Sequence, residues 1–379
     1  MKLFPFSPHA VTQRSILVVL GTRPDAIKLA PVVLALRRHS DLRVRILTTA
    51  QHRDMVEPML AAFGLAPDLD LDVMTHGQGP STVAARVLER LDPILAAAPP
   101  SWLVVLGDTT TALAAALAAF HRRVPVAHVE AGLRSGVADN PFPEEMNRRA
   151  IAQIARLHFA PTERNRAHLL REGIEPEQIE VTGNTVIDAV EIIVGAAPPL
   201  PPVVAGVLAR GSRLLVLTAH RRENHGAPLR SIYRAARRIV ERYGDVEVVA
   251  PIHPNPNVVE TAAEVLGDHP RLHRVEPLFY PPFLASLASA TLVLTDSGGL
   301  QEELPALGVP VLVLRTTTER PELIESGGGI LVGVDEEKIV AETCGLLENA
   351  DRLGAMAQRR YPFGEGGAAQ RIAEHLANR

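Results

Sequence analysis

A chain of 379 residues exceeds what one hydrophobic core usually holds, so two domains are expected. Its 46% hydrophobic and 22% charged residues are ordinary for a globular enzyme, and a net charge of −4 gives no global attraction for nucleic acid or an anionic membrane. The single cysteine, Cys344, excludes a disulfide framework and a multi-cysteine zinc site within the chain, and fits a reducing cytoplasm.

Residues 1–12 carry Pro5, Pro8 and His9 but no long apolar run, and read as a loose leader rather than a signal peptide. Short apolar runs then alternate with longer amphipathic stretches, the rhythm of βα units and a parallel sheet. Strands are predicted over 15–20, 43–48, 102–106 and 125–129, apolar at nearly every position, as expected when helices cover both faces. Helical patterns fill 24–38, 81–97 and 109–120 between them. The proline-rich run from Ala196 to Pro202 breaks the rhythm, which restarts with strands over 213–218, 246–251, 292–295 and 309–314. No apolar run reaches the roughly 18 residues of a membrane span. The chain therefore reads as two α/β domains, 13–196 and 197–362, followed by 363–379.

Open α/β sheets bind ligands at the carboxyl ends of their strands, and the chemistry-bearing residues gather there. After the first strand, Gly21 permits a tight turn and Pro24 suits a helix's first turn. Arg23 and Lys28 place two cations near that N-terminus, an anion site unless both are simply solvated. The glycine spacing of a dinucleotide fingerprint is absent there, and the later Gly364–Ala369 match has no preceding strand. Asp108 follows the strand at 102–106, either as a helix N-cap or as an acid–base group. Glu130 ends the next strand, where an unpaired carboxylate is costly and Arg134 is a candidate partner. Glu144 and Glu145 open a further helix, where acidic residues also favour the helix dipole. In the second array, His220 lies between a strand end and Arg221, placed to bind phosphate or move protons. The turn Ser297-Gly298-Gly299 leaves backbone N–H groups open to a phosphate, with Glu303 farther along to accept a ribose hydroxyl. The 14 histidines show no metal-binding spacing at these positions, so no metal is expected.

Nine stretches in chain order resemble the non-hydrolysing UDP-N-acetylglucosamine 2-epimerase family. They are GTRPDAIKLAP, GDTTT, HVEAGLRSG, NPFPEEMNRR, VTGNTVID, LTAHRREN, PIHPNP, DSGGLQEE and TTTERPE, between residues 21 and 322. The resemblance implies a glycosyltransferase-B-like α/β fold, two Rossmann-like domains with parallel sheets facing across a cleft. It also implies a C-terminal helix packing back on the first domain, a homodimer, no cofactor, and a place in polysaccharide biosynthesis. It makes Asp108, Glu130, Glu144 and His220 catalytic. It assigns Arg23, Lys28, Ser297, Gly298, Gly299, Glu303 and Arg320 to holding UDP, and Phe283 to the uracil side. Leu278 departs from a glutamine common in the family on the uracil side, and Asp25 replaces the more usual glutamate.

The implied reaction suits these residue types. The C2 proton of the sugar is not adjacent to a carbonyl, but departure of UDP gives C1 oxocarbenium character and acidifies it. Fixed cations and a helix N-terminus stabilise the leaving pyrophosphate, and inversion at C2 needs acid–base groups on both faces of the ring. The rivals are a glycosyltransferase of the same architecture, or a 2-epimerase acting on a related UDP-2-acetamido sugar.

Overall fold

The computed structural model describes residues 13–49, 53–73 and 77–379; the expected leader, 1–12, lies outside them. The chain divides into two compact units. One holds the chain up to Ala189 together with Gly366–Arg379, and the other is Val190–Glu365.

The first unit contains a seven-stranded parallel sheet: β1 Arg14–Leu20, β2 Leu42–Thr48, β3 Leu69–Asp70, β4 Trp102–Leu106, β5 Val126–Val129, β6 Leu157–Ala160 and β7 Ile179–Val181. Their spatial order is β3-β2-β1-β4-β5-β6-β7. The second unit contains β8 Arg213–Thr218, β9 Val246–Pro251, β10 Leu272–Val275, β11 Leu292–Thr295, β12 Val311–Val313 and β13 Gly329–Leu331. Their order, β10-β9-β8-β11-β12-β13, repeats the same winding. Both are Rossmann-like sheets, the α/β class expected from the sequence. In each the strand order reverses beside the first strand of the set, between β1 and β4 and between β8 and β11.

β4 and β5 are buried at every position because helices cover both faces, β4 being Trp-Leu-Val-Val-Leu. Each unit has its own apolar core, around Leu17, Val87, Leu103 and Ala115 in the first and Leu215, Ile232, Val248 and Leu294 in the second. The proline-rich run separates the helices Thr185–Gly195 and Pro202–Ala209. The division between units falls earlier than residue 196, inside the first of these helices. That helix's opening turn is tied to the first unit, since Asp188 accepts the Ala369 N–H at 3.4 Å. The last helix, Ala368–Ala377, packs on the Arg23–Leu36 helix of the first unit. Arg371 fastens it by donating to the Thr182 carbonyl at 2.9 and 2.6 Å.

Candidate active site

In the first unit the loops after β1, β4 and β5 lie side by side at one sheet edge. Gly21 is needed there: a Cβ would stand 2.8 Å from the Thr111 side chain, so any other residue would push the loop off the neighbouring helix. Thr22 caps the helix Arg23–Leu36 in a capping box with Asp25, which leaves Arg23 exposed at the first position. Asp25 is buried, and its Oδ2 accepts the Gly21 and Thr22 N–H groups at 2.9 Å each. Burial outweighs those bonds, and with Asp108 nearby its pKa rises to about 6.

That shift carries a stability consequence. An unfolded aspartate titrates near 3.8, so between pH 4 and 6 the folded chain holds a proton that the unfolded chain has lost. Stability from this group is therefore present at low pH and is lost as pH rises through about 6. Asp25→Asn keeps an acceptor for both N–H groups and removes the penalty. Relative to the native protein, the variant is expected to gain about 2 kcal/mol between pH 4 and pH 7. Urea unfolding of both proteins at the two pH values measures this; a pH-independent difference would contradict it.

One turn along the same helix, Lys28 turns to Glu130, with Nζ 2.7 and 2.8 Å from its two carboxylate oxygens. Both side chains are about one-tenth exposed. Lys28, assigned to UDP by resemblance, thus carries a carboxylate as partner. Arg134, the candidate partner of Glu130, instead holds Glu172, donating from Nε at 2.7 Å. Glu130 itself has φ +60°, an uncommon left-handed backbone for a non-glycine residue at the end of a strand.

Asp108 is not the N-cap. Gly107, at φ +63°, turns the chain, and Thr109 caps the next helix by accepting the Ala112 N–H at 3.1 Å. The Asp108 carboxylate instead accepts from Arg148, and its carbonyl accepts from Asn147 at 2.9 Å. Asn147 and Arg148 belong to the helix Glu144–Ile154, so the helix that presents Glu144 also fixes Asp108. The two glutamates at its start differ. Glu145 is fully buried and takes bonds from the Ser135 N–H at 3.0 Å and from Arg149 at 2.9 and 2.8 Å. Burial opposes its charge, yet these donors hold it below the usual carboxylate range. Glu144 is half-buried, and its Oε2 is shielded from solvent without a hydrogen-bond donor among the described residues. An acceptor left in that state is suited to a ligand's proton. Behind the loops, His128 is buried and bonds the Gly107 carbonyl at 2.7 Å; burial and His158 depress its pKa to about 3, so it stays neutral.

In the second unit the turn after β8 meets the turn after β11. Asp296 is fully buried and draws the His220 and Arg221 N–H groups onto Oδ2 at 2.9 Å each. Ser297 stands at the N-cap of the helix Gly298–Leu307 without a side-chain capping bond, so that first turn offers its N–H groups outward. A Cβ on Gly298 would lie 3.2 Å from Nη2 of Arg221 and 3.5 Å from Nη1 of Arg320, so two guanidinium groups overhang that N-terminus. Burial lowers the Arg221 pKa and Arg315 adds to the effect, while Glu319, Glu223 and Asp296 oppose it. Arg320 is steadied by Glu302 at 2.9 Å. Glu303 is buried farther along the same helix, and Phe283 is half-buried in the helix Tyr280–Ala288. Sequence reasoning gave no role to Asp296 or Arg148 and named Arg221 only as the neighbour of His220. Asp296 had a signal, a carboxylate just past the apolar run Leu292–Leu294.

Two Rossmann-like sheets with carboxylates and an open, cation-covered helix start at their strand ends define a nucleotide-ligand enzyme class. Comparison narrows it. The family model for UDP-N-acetylglucosamine 2-epimerase matches residues 34–377. The UDP-N-acetylglucosamine 2-epimerase of Escherichia coli (strain K12) is 44% identical over 96% of this chain and 98% of its own length. That of Bacillus subtilis (strain 168) is 45% identical over 95% and 94%. The crystal structure of the Neisseria meningitidis UDP-GlcNAc 2-epimerase bound to UDP-GlcNAc superposes with a TM-score of 0.89 at 38% identity, covering 96% of this chain and all of that one. The chain belongs to the UDP-N-acetylglucosamine 2-epimerase family. Among the described residues no helix is long and apolar enough to cross a membrane, and no cluster of three or more potential metal ligands occurs.

Proposed function

We propose that this chain interconverts UDP-N-acetylglucosamine and UDP-N-acetylmannosamine at C2, eliminating UDP to give 2-acetamidoglucal and adding it back. Two observations support this reading: in one unit the anion-ready turn Ser297–Gly299 under Arg221 and Arg320, and in the other three carboxylates held in the two connections that follow β4 and β5. The open N–H groups and guanidinium groups take the negative charge that develops as UDP leaves, with His220 and Arg23 adding to them. Glu303 accepts from the ribose and Phe283 lies against the uracil. Asp108, Glu130 and Glu144 exchange the C2 proton, one removing it and another returning it from the opposite face. Lys28 and Arg148 hold the Glu130 and Asp108 carboxylates in place by ion pairs. The same reading has a cytoplasmic homodimer feeding polysaccharide assembly, supported by family membership and, for the compartment, by a lone buried cysteine.

Elimination breaks the C2–H bond at each turnover and rebuilds it from an acid that exchanges with solvent. In heavy water the epimerised sugar nucleotide is therefore expected to carry deuterium at C2, read as loss of that proton's NMR signal. Epimerised product keeping its original hydrogen would overturn elimination. Absence of epimerised product, with transfer to an acceptor instead, would identify a glycosyltransferase.

A further inference from the structure

Asp296 is wired in a way that backbone support alone leaves half explained. Its Oδ2 is saturated, accepting the N–H of His220, the N–H of Arg221 and the Asn224 side-chain amide, each at 2.9 Å. Its Oδ1 is sealed from solvent and receives no hydrogen bond from a described residue. A buried carboxylate oxygen without a donor is costly, by the full desolvation of the group. Among the described residues, Nδ1 of His220 stands 3.6 Å from it, just beyond hydrogen-bond range. The backbone holding Asp296 is itself tight. Its N–H donates to the Thr218 carbonyl at 3.2 Å, and the Thr218 and Thr295 hydroxyls meet at 2.7 Å. The imidazole is constrained from a second direction, stacked parallel to His253 with ring centroids 5.2 Å apart. One ring face and the Nδ1 edge are therefore fixed, and the side chain remains partly open to solvent.

We propose that Asp296 is a positioning residue for the reaction proposed above, holding His220 with Nδ1 protonated and Nε2 presented to the leaving pyrophosphate. A carboxylate oxygen only accepts, so Nδ1 facing it must carry the hydrogen. With Nδ1–H so anchored, a second proton on Nε2 gives an imidazolium whose charge is balanced by Asp296 on one side. Its other side donates to the departing phosphate. The logic is that of a carboxylate orienting a catalytic histidine, here on a Rossmann-like turn. Asp296 touches no reacting atom; it acts through the ring.

Asp296→Asn separates this role from backbone support. The amide oxygen can replace Oδ2 and keep all three donors, which places the amide NH2 where Oδ1 was. That NH2 faces Nδ1 as a donor, so Nδ1 must lose its hydrogen, and the ring cannot hold two protons without opposing two N–H groups. The expected result is a melting point near the native one, kcat lowered by about 10²-fold or more, and KM changed only a few-fold. In 15N NMR of ligand-free protein at mildly alkaline pH, with the His220 signals identified by their absence in His220→Gln, native Nδ1 is expected to be protonated. In Asp296→Asn the protonated nitrogen is expected to become Nε2.

A native ring carrying its hydrogen on Nε2 would overturn the proposal, as would native kcat in Asp296→Asn. Should the variant fail to fold, the native tautomer decides alone. The inference rests on the proposed epimerisation only for its rate readout. If the native protein epimerised nothing, that reading would fail while the tautomer measurement still judged the His220–Asp296 pairing.

Discussion

Glu130→Gln is expected to lower kcat by about 10²-fold or more, the range for losing an acid–base group, and to cost about 3 kcal/mol of stability. Both effects follow from one geometry. Glutamine is isosteric and still accepts a hydrogen bond from Lys28, but the ammonium, 10% exposed in its side chain, loses the counter-charge 2.7 Å away. The double variant Lys28→Met with Glu130→Gln removes the cation along with its counter-charge, so stability is expected to recover in large part while kcat stays low. Urea unfolding and NMR-monitored turnover measure the two quantities separately. The slow variant is also expected to release glycal and UDP, since re-addition falls behind dissociation. Native kcat in Glu130→Gln would reduce the pair to a structural salt bridge.

The long apolar strands were legible because burial on both faces leaves little choice of residue, as in 102–106 and 292–295. β3, β6, β7, β10 and β13 were not: each is only two to four residues long, and Asp70, His158, Glu180, His273, Arg274 or Gly329 interrupts what little apolar pattern they have. The positions of Asp108, Glu130, Glu144 and His220 at strand and helix ends were also visible, because winding order brings the strand ends of each sheet to one edge of that sheet. Their partners were not. Lys28 reaches Glu130 across 102 positions, and local spacing favoured Arg134, which the fold commits to Glu172. Asp108 and Thr109 are both capable caps. The choice rests on the backbone turn at Gly107, a dihedral that sequence pattern does not carry. Glu144 and Glu145 look alike as first-turn acids until the fold buries one beneath Arg148 and Arg149. The proline-rich run was read as the linker between two βα arrays; the units divide seven residues earlier, inside the helix Thr185–Gly195, where the sequence carries no break.

Gly132→Ala is expected to be the most damaging single-methyl change near the carboxylates, costing about 3–5 kcal/mol and lowering the melting point by roughly 10 °C. Two separate penalties meet there. Gly132 has φ +86°, where an L-residue is strained by about 1–2 kcal/mol. Its added Cβ would also stand 2.3 Å from the Asn165 carbonyl oxygen and 2.8 Å from its carbon. That carbonyl belongs to the helix Glu163–Arg171, so it cannot swing aside as a side-chain tip would. The helix is also tied to this loop, with His168 Nδ1 bonding the Gly132 carbonyl at 2.9 Å. Relief must therefore come from the loop, two residues from Glu130, and the surviving folded fraction is expected to lose turnover as well. Gly136→Ala supplies the control. Its φ is +81°, yet nothing lies within 4 Å of a Cβ there, so only the dihedral cost of about 1–2 kcal/mol applies. The gap between the two variants isolates the clash with the Asn165 carbonyl. Equal losses would place the whole cost in the dihedral and remove the reason given for glycine at 132.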